Sequence, residues 1–251
     1  YTDLLPNPEP LSPISLYLDA LGAIGDKKFE ETTLVFRIDP ASSNAHIGGE
    51  RQLLGDVFEH LLRNALDAVT HSPEPKSHRI CLTSYTAGEL FHAQVSDTGP
   101  GIPRVLSEKV FSPFFSLWPE TRNGMGLTVS REIVERHGGT LQLLDERPNM
   151  GARFQVRLPV TTSDLEATIV EALEHDSLII MEPGTRLFKR ALQLPGLVQL
   201  ARCPDVASLL DYLRENPDGA RILCDFEGRA NELDELLSAL EFFDVDQTTK
   251  L

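Results

Sequence analysis

The chain has 251 residues, long enough for one large or two modest domains, and a composition shift near Pro159 favours two. Against 23 Lys and Arg stand 38 Asp and Glu, a net charge of −15 that repels phosphate backbones and leaves nucleic acid and anionic membrane outside the expected partners. Three widely spaced cysteines in apolar runs, Cys81, Cys203 and Cys224, fit reduced core thiols and a cytoplasmic location, and no apolar run approaches the ~18 residues of a membrane span. The start at Tyr1, without an initiator Met, leads us to expect a fragment of a longer protein, with room for a membrane anchor upstream.

Residues 1–12 are proline-rich and polar and are expected to form a flexible lead-in. ISLYLDALGA, residues 14–23, has a short helical pattern that stops at Gly25. TTLVFRID, residues 32–39, is a strand by its β-branched and aromatic content, closed by Pro40. From Gly49 the pattern turns helical: Leu54, Val57, Phe58, Leu61, Leu62, Ala65 and Val69 follow a 3.6-residue period for about five turns. At 100° per residue, His60, Asn64 and Asp67 fall in one row on the shoulder of that stripe, between core and solvent. On the helix alone they read as solvated residues, and a row in that place can also face a ligand.

HRICLTSY and LFHAQVSD, joined by a turn at Ala87-Gly88, make a hairpin that delivers Asp97 into a loop where Gly99 and Gly101 alternate with Thr98 and Pro100. Such glycines let a flat ligand lie close against backbone. About twenty irregular, Pro- and Phe-bearing residues follow, which inside a compact domain reads as a functional lid. A second glycine pair, Gly124 and Gly126, then opens the helix GLTVSREIVERHGG, stopped by Gly138. TLQLLDE and GARFQVRLP close the sheet, the latter alternating at Phe154, Val156 and Leu158. The expected architecture over residues 26–160 is an α+β sandwich, a mixed sheet with helices on one face. Residues 161–175 read as a helical linker capped by Ser163 or Asp164. Over residues 176–251, the strands SLIIMEPG, GLVQLARC and RILCDF alternate with helical stretches, the pattern of a smaller, doubly wound α/β domain with a parallel sheet.

The boxes RNALDAV, SDTGPGI, FSPFF, NGMGL and GARFQVRLP, occurring in that order, resemble the ATP-binding catalytic domain of sensor histidine kinases, the Bergerat-type fold shared with gyrase, MutL and the Hsp90 chaperone. The resemblance covers about residues 30–160 and implies ATP and magnesium as ligands. By this analogy Asp97 accepts from the adenine amino group, and Gly99, Gly101, Ile102 and Phe115 surround the nucleotide. Asn64 offers an oxygen to magnesium, a hard cation that keeps waters and needs only one or two protein ligands beside phosphate oxygens. His60 stands where the family often has Asn, while chemotaxis histidine kinases carry HLLRN much as here, which implies a phosphate-side contact. The amides of Gly124, Met125, Gly126 and Leu127 open a helix and present its positive end to phosphates. Three positions depart from the pattern: Arg122 replaces the first glycine of that box, Leu117 and Trp118 stand where a lysine is common, and Ala152 replaces a hydroxyl residue. Arg122 is the nearby cation expected to substitute for the lysine.

The same resemblance places the end of the dimerisation helices in residues 1–25 and implies donation of the ATP γ-phosphate to a histidine on a dimerisation domain outside the chain. It further implies a cognate response regulator or phosphotransfer protein as partner, and a homodimer in the full-length protein. Of seven histidines only His175 precedes an acid in the His-Asp dipeptide of a phosphoacceptor, and it leads into a strand rather than sitting mid-helix. The C-terminal module resembles a response-regulator receiver, as in hybrid kinases: Asp225 falls at the phosphoacceptor position, but Glu182 alone stands for an acidic pair, and strands four and five are absent. Two rival readings are a nucleotide-binding pseudokinase or scaffold, motivated by the altered phosphate box, and a MutL- or gyrase-like ATPase. The ATPase would need a Glu base one turn before Asn64, where His60 stands.

Overall fold

The computed structural model describes residues 9–39, 45–72, 78–119, 123–145, 151–161, 176–181, 188–189, 192, 197–216 and 221–224. Its elements are β1 (Glu9–Leu11), α1 (Pro13–Ile24), β2 (Thr33–Ile38), β3 (Ile47–Gly49), α2 (Arg51–Thr70), β4 (Arg79–Ala87), β5 (Leu90–Asp97), α3 (Gly126–Arg136), β6 (Thr140–Asp145), β7 (Arg153–Pro159), β8 (Asp176–Met181), β9 (Leu197–Cys203), α4 (Val206–Glu215) and β10 (Arg221–Cys224).

The apolar period of α2 buries Leu54, Val57, Phe58, Leu61, Leu62, Ala65 and Val69, and the alternation of β5 buries Phe91, Ala93 and Val95. These two patterns meet: α1, α2 and α3 cover one face of a mixed sheet in which β4, β5, β7 and β6 run antiparallel in that order. Tyr17 of α1 lies edge-to-face on Phe58 of α2 and Phe36 of β2, at 5.0 and 5.8 Å between ring centres, geometry worth ~1 kcal/mol per pair beyond burial. His137, buried at the end of α3, donates from Nδ1 to the Ile133 carbonyl (2.7 Å) and accepts from the Glu50 amide at Nε2 (3.1 Å). The neutral ring thereby pins the start of α2 to the end of α3, the two helices that carry the site.

Two expectations change. Residues 9–11 are not part of a flexible lead-in: they pair antiparallel with Ile47–Gly49, and Leu11 is buried. The α1 helix belongs to the core, with Leu16, Tyr17, Ala20 and Leu21 all buried. The second change concerns the C-terminal strands. They do not make a sheet of their own; β9 pairs antiparallel with β2, giving one eight-stranded sheet in the order β10-β8-β9-β2-β4-β5-β7-β6. Among themselves β10, β8 and β9 are parallel, as their apolar runs suggest. The core is continuous across this seam: Phe188 packs edge-to-face on Phe36 at 5.1 Å, and Leu192 and Leu200 join the same buried cluster. Among the described residues, Phe188, Leu192 and Leu200 thus share the core of the catalytic sheet, while Ile179, Ala201, Leu209, Tyr212 and Leu213 are buried outside that cluster. Arg202 of β9 is fully buried and donates from Nη1 to the carbonyls of Phe29 and Thr32, the latter at 2.7 Å, tying that strand to the turn before β2. Residues 162–175 of the expected helical linker, with His175, and Glu182 and Asp225 lie outside the described residues.

Candidate functional site

The end of β5, the shoulder of α2, the lid segment and the first turn of α3 enclose a cavity of about 280 Å³. Ten of the expected residues line it: His60 and Asn64 from α2, Asp97, Gly101 and Ile102 from the β5 loop, Phe115 from the lid, and Gly124, Met125, Gly126 and Leu127 at the start of α3. Arg122 lies outside the described residues. Asp67 of the expected polar row is not among the lining residues; its backbone carbonyl accepts from the ring of His71 at 2.6 Å, in the last turn of the helix.

Asp97 is held by two backbone amides, Gly99 at 2.8 Å and Ala152 at 3.2 Å, both donating to Oδ1. Burial pushes its carboxyl up from 3.8 to about 6, against the opposing pull of those two bonds. With Oδ1 so occupied, Oδ2 is the oxygen left to meet a ligand in the cavity. Gly99 does not line that cavity. A Cβ there would come within 2.8 Å of Ala68 on α2, so this glycine serves close packing of the loop on the helix, not the approach of a ligand. Sequence reasoning missed Gly151, whose φ of 72° and closeness to the Asp97 carbonyl (a Cβ would lie 1.8 Å away) let β7 begin against the Asp97 loop. Its signal was only a glycine before an alternating strand.

At the opposite end, Gly126 packs on the His60 ring, which a Cβ there would approach to 3.5 Å. His60 Nδ1 lies 3.1 Å from the hydroxyl of Ser130, a buried residue one turn into α3. Among the described residues the N-cap of α3 makes no side-chain cap bond; the Met125 amide donates to Asn123 Oδ1 at 3.3 Å, and the amides of Gly126 and Leu127 are left for an anion. Arg63, one residue before Asn64, also lines the cavity and was overlooked as a second cation. Its guanidinium is engaged by Glu59 at 2.6 Å and the Ala23 carbonyl at 2.9 Å.

The lid is anchored much as its phenylalanines suggest, with one exception. Phe111 is buried edge-to-face on Phe154 (6.1 Å) under the Arg131 guanidinium (3.5 Å), and Thr128 of α3 donates to its carbonyl. Phe114 instead points outward, 78% exposed, with a φ of 63°. Trp118 stacks on His71 at 4.9 Å and closes one wall of the cavity.

Residues 49–162 match the family described as histidine kinase-, DNA gyrase B- and HSP90-like ATPase. Over this segment the chain is similar to the ATP-binding domains of that family. Over 154 residues the chain is 31% identical to the two-component sensor PprA of Pseudomonas aeruginosa, covering 60% of this chain and 16% of that protein. The mycobacterial sensor histidine kinase MprB superposes with a TM-score of 0.52 at 23% identity, covering 61% of this chain and 97% of that structure. Full-length ShkA, solved in complex with AMPPNP, superposes with a TM-score of 0.57 at 16% identity, covering 90% of this chain and 42% of that one. The last two show likeness of fold alone. The matched segment contains every residue that lines the cavity, while the chain spans only a small part of the relative's length. Among the described residues no helix is long and apolar enough to cross a membrane.

Proposed function

We propose that this chain is the ATP-binding catalytic region of a hybrid-type sensor kinase and donates the ATP γ-phosphate to a histidine on a dimerisation domain outside it. The observation that carries this reading is the polarity of one cavity: a buried acceptor, Asp97, at one end, and an uncapped helix start beside His60 and Asn64 at the other. Adenine and phosphates have the complementary polarity. Among the described residues no group of three His, Cys, Asp or Glu could cage a metal ion, which fits magnesium arriving on the nucleotide and taking the Asn64 oxygen as its protein ligand. When bound, that ion neutralises charge on the phosphate oxygens. Asp97 orients the base, the α3 amides hold the phosphates, His60 is steadied by Ser130, and the lid excludes water, so the protein's contribution is positioning and electrostatics.

Transfer requires a nucleophile held in line with the γ-phosphate, which a dimerisation domain would supply. We therefore expect the chain alone, given radiolabelled ATP, to stay unlabelled, and to label a histidine when mixed with its dimerisation domain. Acid-labile label on His175 of the isolated chain would overturn this. A second reading, a nucleotide-binding pseudokinase, is favoured by Arg63, the lining cation, being tied to Glu59 and Ala23 rather than turned to the phosphates. Nucleotide binding without label in that mixture would decide for it. For the C-terminal strands, we infer a receiver-like docking module, supported by the third-first-second order of β10, β8 and β9, that of doubly wound receivers. Its partner would be the kinase's own regulator or phosphotransfer protein. With Glu182 as lone acid we expect acetyl phosphate and magnesium to leave Asp225 unmodified, and a phosphoaspartate there would overturn that part.

A further inference from the structure

Outside the nucleotide cavity, the sheet's other face carries a second cleft, of about 370 Å³. Alternation explains its chemistry. Leu34, Phe36, Ile80, Leu82, Ala93, Val95 and Phe154 turn toward the helices and are buried in the core, so their strand neighbours Arg37, Cys81, Thr83, Gln94, Ser96 and Arg153 share the opposite face. Register sets them in rows: Arg37 beside Thr83 and Gln94, and Cys81 beside Ser96 and Arg153. The floor is thus made of Cys81, Thr83, Gln94 and Ser96, with the buried Val35 beside Cys81 at its β2 edge. Arginines stand on both rims, on β2 and β7, three strand spacings or ~14 Å apart.

Arg79 closes one end. Its Nη1 donates to Glu215 of α4 at 2.7 Å, its guanidinium sits 5.4 Å from the Tyr212 ring, and its Nε is buried with no hydrogen-bond partner. A buried N–H left unpaired costs on the order of 1–3 kcal/mol, a cost that an added acceptor would relieve. Three arginines in one cleft are also unexpected in a chain of net charge −15. Of the acids nearby, Glu215 is paired with Arg79, Asp97, which walls both cavities, is held by the Gly99 and Ala152 amides, and Asp145 stands opposite Arg153 in the β6–β7 register, while Arg37 donates from Nη2 to Asn216 Oδ1 at 3.4 Å.

We propose that this cleft binds a phosphate-bearing small molecule of roughly nucleotide size, gripped by Arg37, Arg79 and Arg153 with Thr83 and Ser96 as further donors. Planar guanidinium forks match phosphate oxygens two at a time, and a polar floor of this size suits a charged small ligand rather than an apolar one. An anion on Arg79 competes with Glu215, so binding would loosen α4 from the end of β4 while contacting the wall behind Asp97. The cleft is therefore placed to report a second ligand to the nucleotide site.

Calorimetry of inorganic pyrophosphate against the whole chain, with EDTA present and ionic strength fixed, tests this. Binding should weaken about tenfold or more in the Arg37→Gln, Arg153→Gln double variant. Arg136→Gln, on the exposed end of α3, should leave it unchanged, and ADP binding by the double variant shows that it folds. Arg37→Lys with Arg153→Lys keeps the charge but not the forks and should also weaken binding. The proposal is overturned by an absence of binding at millimolar pyrophosphate, by equal weakening in Arg136→Gln, or by binding that ADP abolishes and the rim substitutions leave intact.

Discussion

Replacing Asp97 by Asn should stabilise the fold while disabling the site. The carboxyl is raised from 3.8 to about 6 chiefly by burial, so its charged form is the one the folded protein disfavours. A group with a raised folded value contributes most below its unfolded value and loses that contribution as pH rises through the folded one. The penalty on Asp97 is accordingly absent below 3.8 and complete above about 6. The shift corresponds to roughly 3 kcal/mol. That is a ceiling, because the side chain keeps some solvent contact and because a neutral amide accepts more weakly than a carboxylate. Both existing hydrogen bonds end on Oδ1, so the amide oxygen of Asn can take them over while Nδ2 replaces Oδ2 in the cavity. Urea unfolding above the folded value should show Asp97→Asn more stable by about 1–2 kcal/mol, and below 3.8 the two proteins should converge. Calorimetry should find ATP and ADP weakened equally, since a donor now faces the adenine amine. A variant less stable at high pH, or one binding ADP like the parent, would refute the assignment of Asp97 as a desolvated acceptor.

Asn64→Ala should weaken ATP chiefly when magnesium is present and little with EDTA, as calorimetry in the two conditions would read, because only the metal contact is removed. Gly151→Ala should destabilise by about 2 kcal/mol or more in denaturant unfolding, since the new methyl would overlap the Asp97 carbonyl. Trp118 is the only tryptophan of the chain and walls the cavity against His71, so ADP should shift its emission, and a spectrum indifferent to saturating ADP would show that the lid does not meet the nucleotide.

Much of the catalytic segment was legible because single patterns decided it. LFHAQVSD alternates so regularly that β5 runs over those same residues, Leu90–Asp97, and the period of α2 fixed both its core face and the row that holds His60 and Asn64. What escaped depends on contacts distant in sequence. The strand Glu9–Leu11 has only three residues in a proline-rich stretch, and its partner contains two glycines, so neither carries a propensity signal. The Ala152 amide completes the Asp97 site from 55 residues away, and backbone donors leave no trace in residue type. Gly99 looked like a ligand-facing glycine because the motif shows that a side chain is excluded, not which neighbour excludes it.

The joining of the C-terminal strands to the catalytic sheet has the same origin and a larger consequence. Without β9, β2 would be an edge strand, and a six-residue apolar edge with buried Leu34, Val35, Phe36 and Ile38 invites pairing with other chains. β9 covers that edge over Leu34–Arg37. The seam is then sealed on one face by Phe188 on Phe36 and at its end by Arg202. A fully buried arginine inside an apolar strand is costly unless its donors are met. Here two backbone carbonyls before β2 meet Nη1, so Arg202 favours this register of β9 over one shifted by a residue, which would carry the charge to the other face. From the catalytic side, the turn that receives Arg202 leads into β2, whose parallel neighbour β4 is paired in turn with the strand that ends at Asp97. Any event that moves β9 must therefore act on the strand next to the hairpin that ends at Asp97, and the C-terminal strands and the candidate site belong to one sheet.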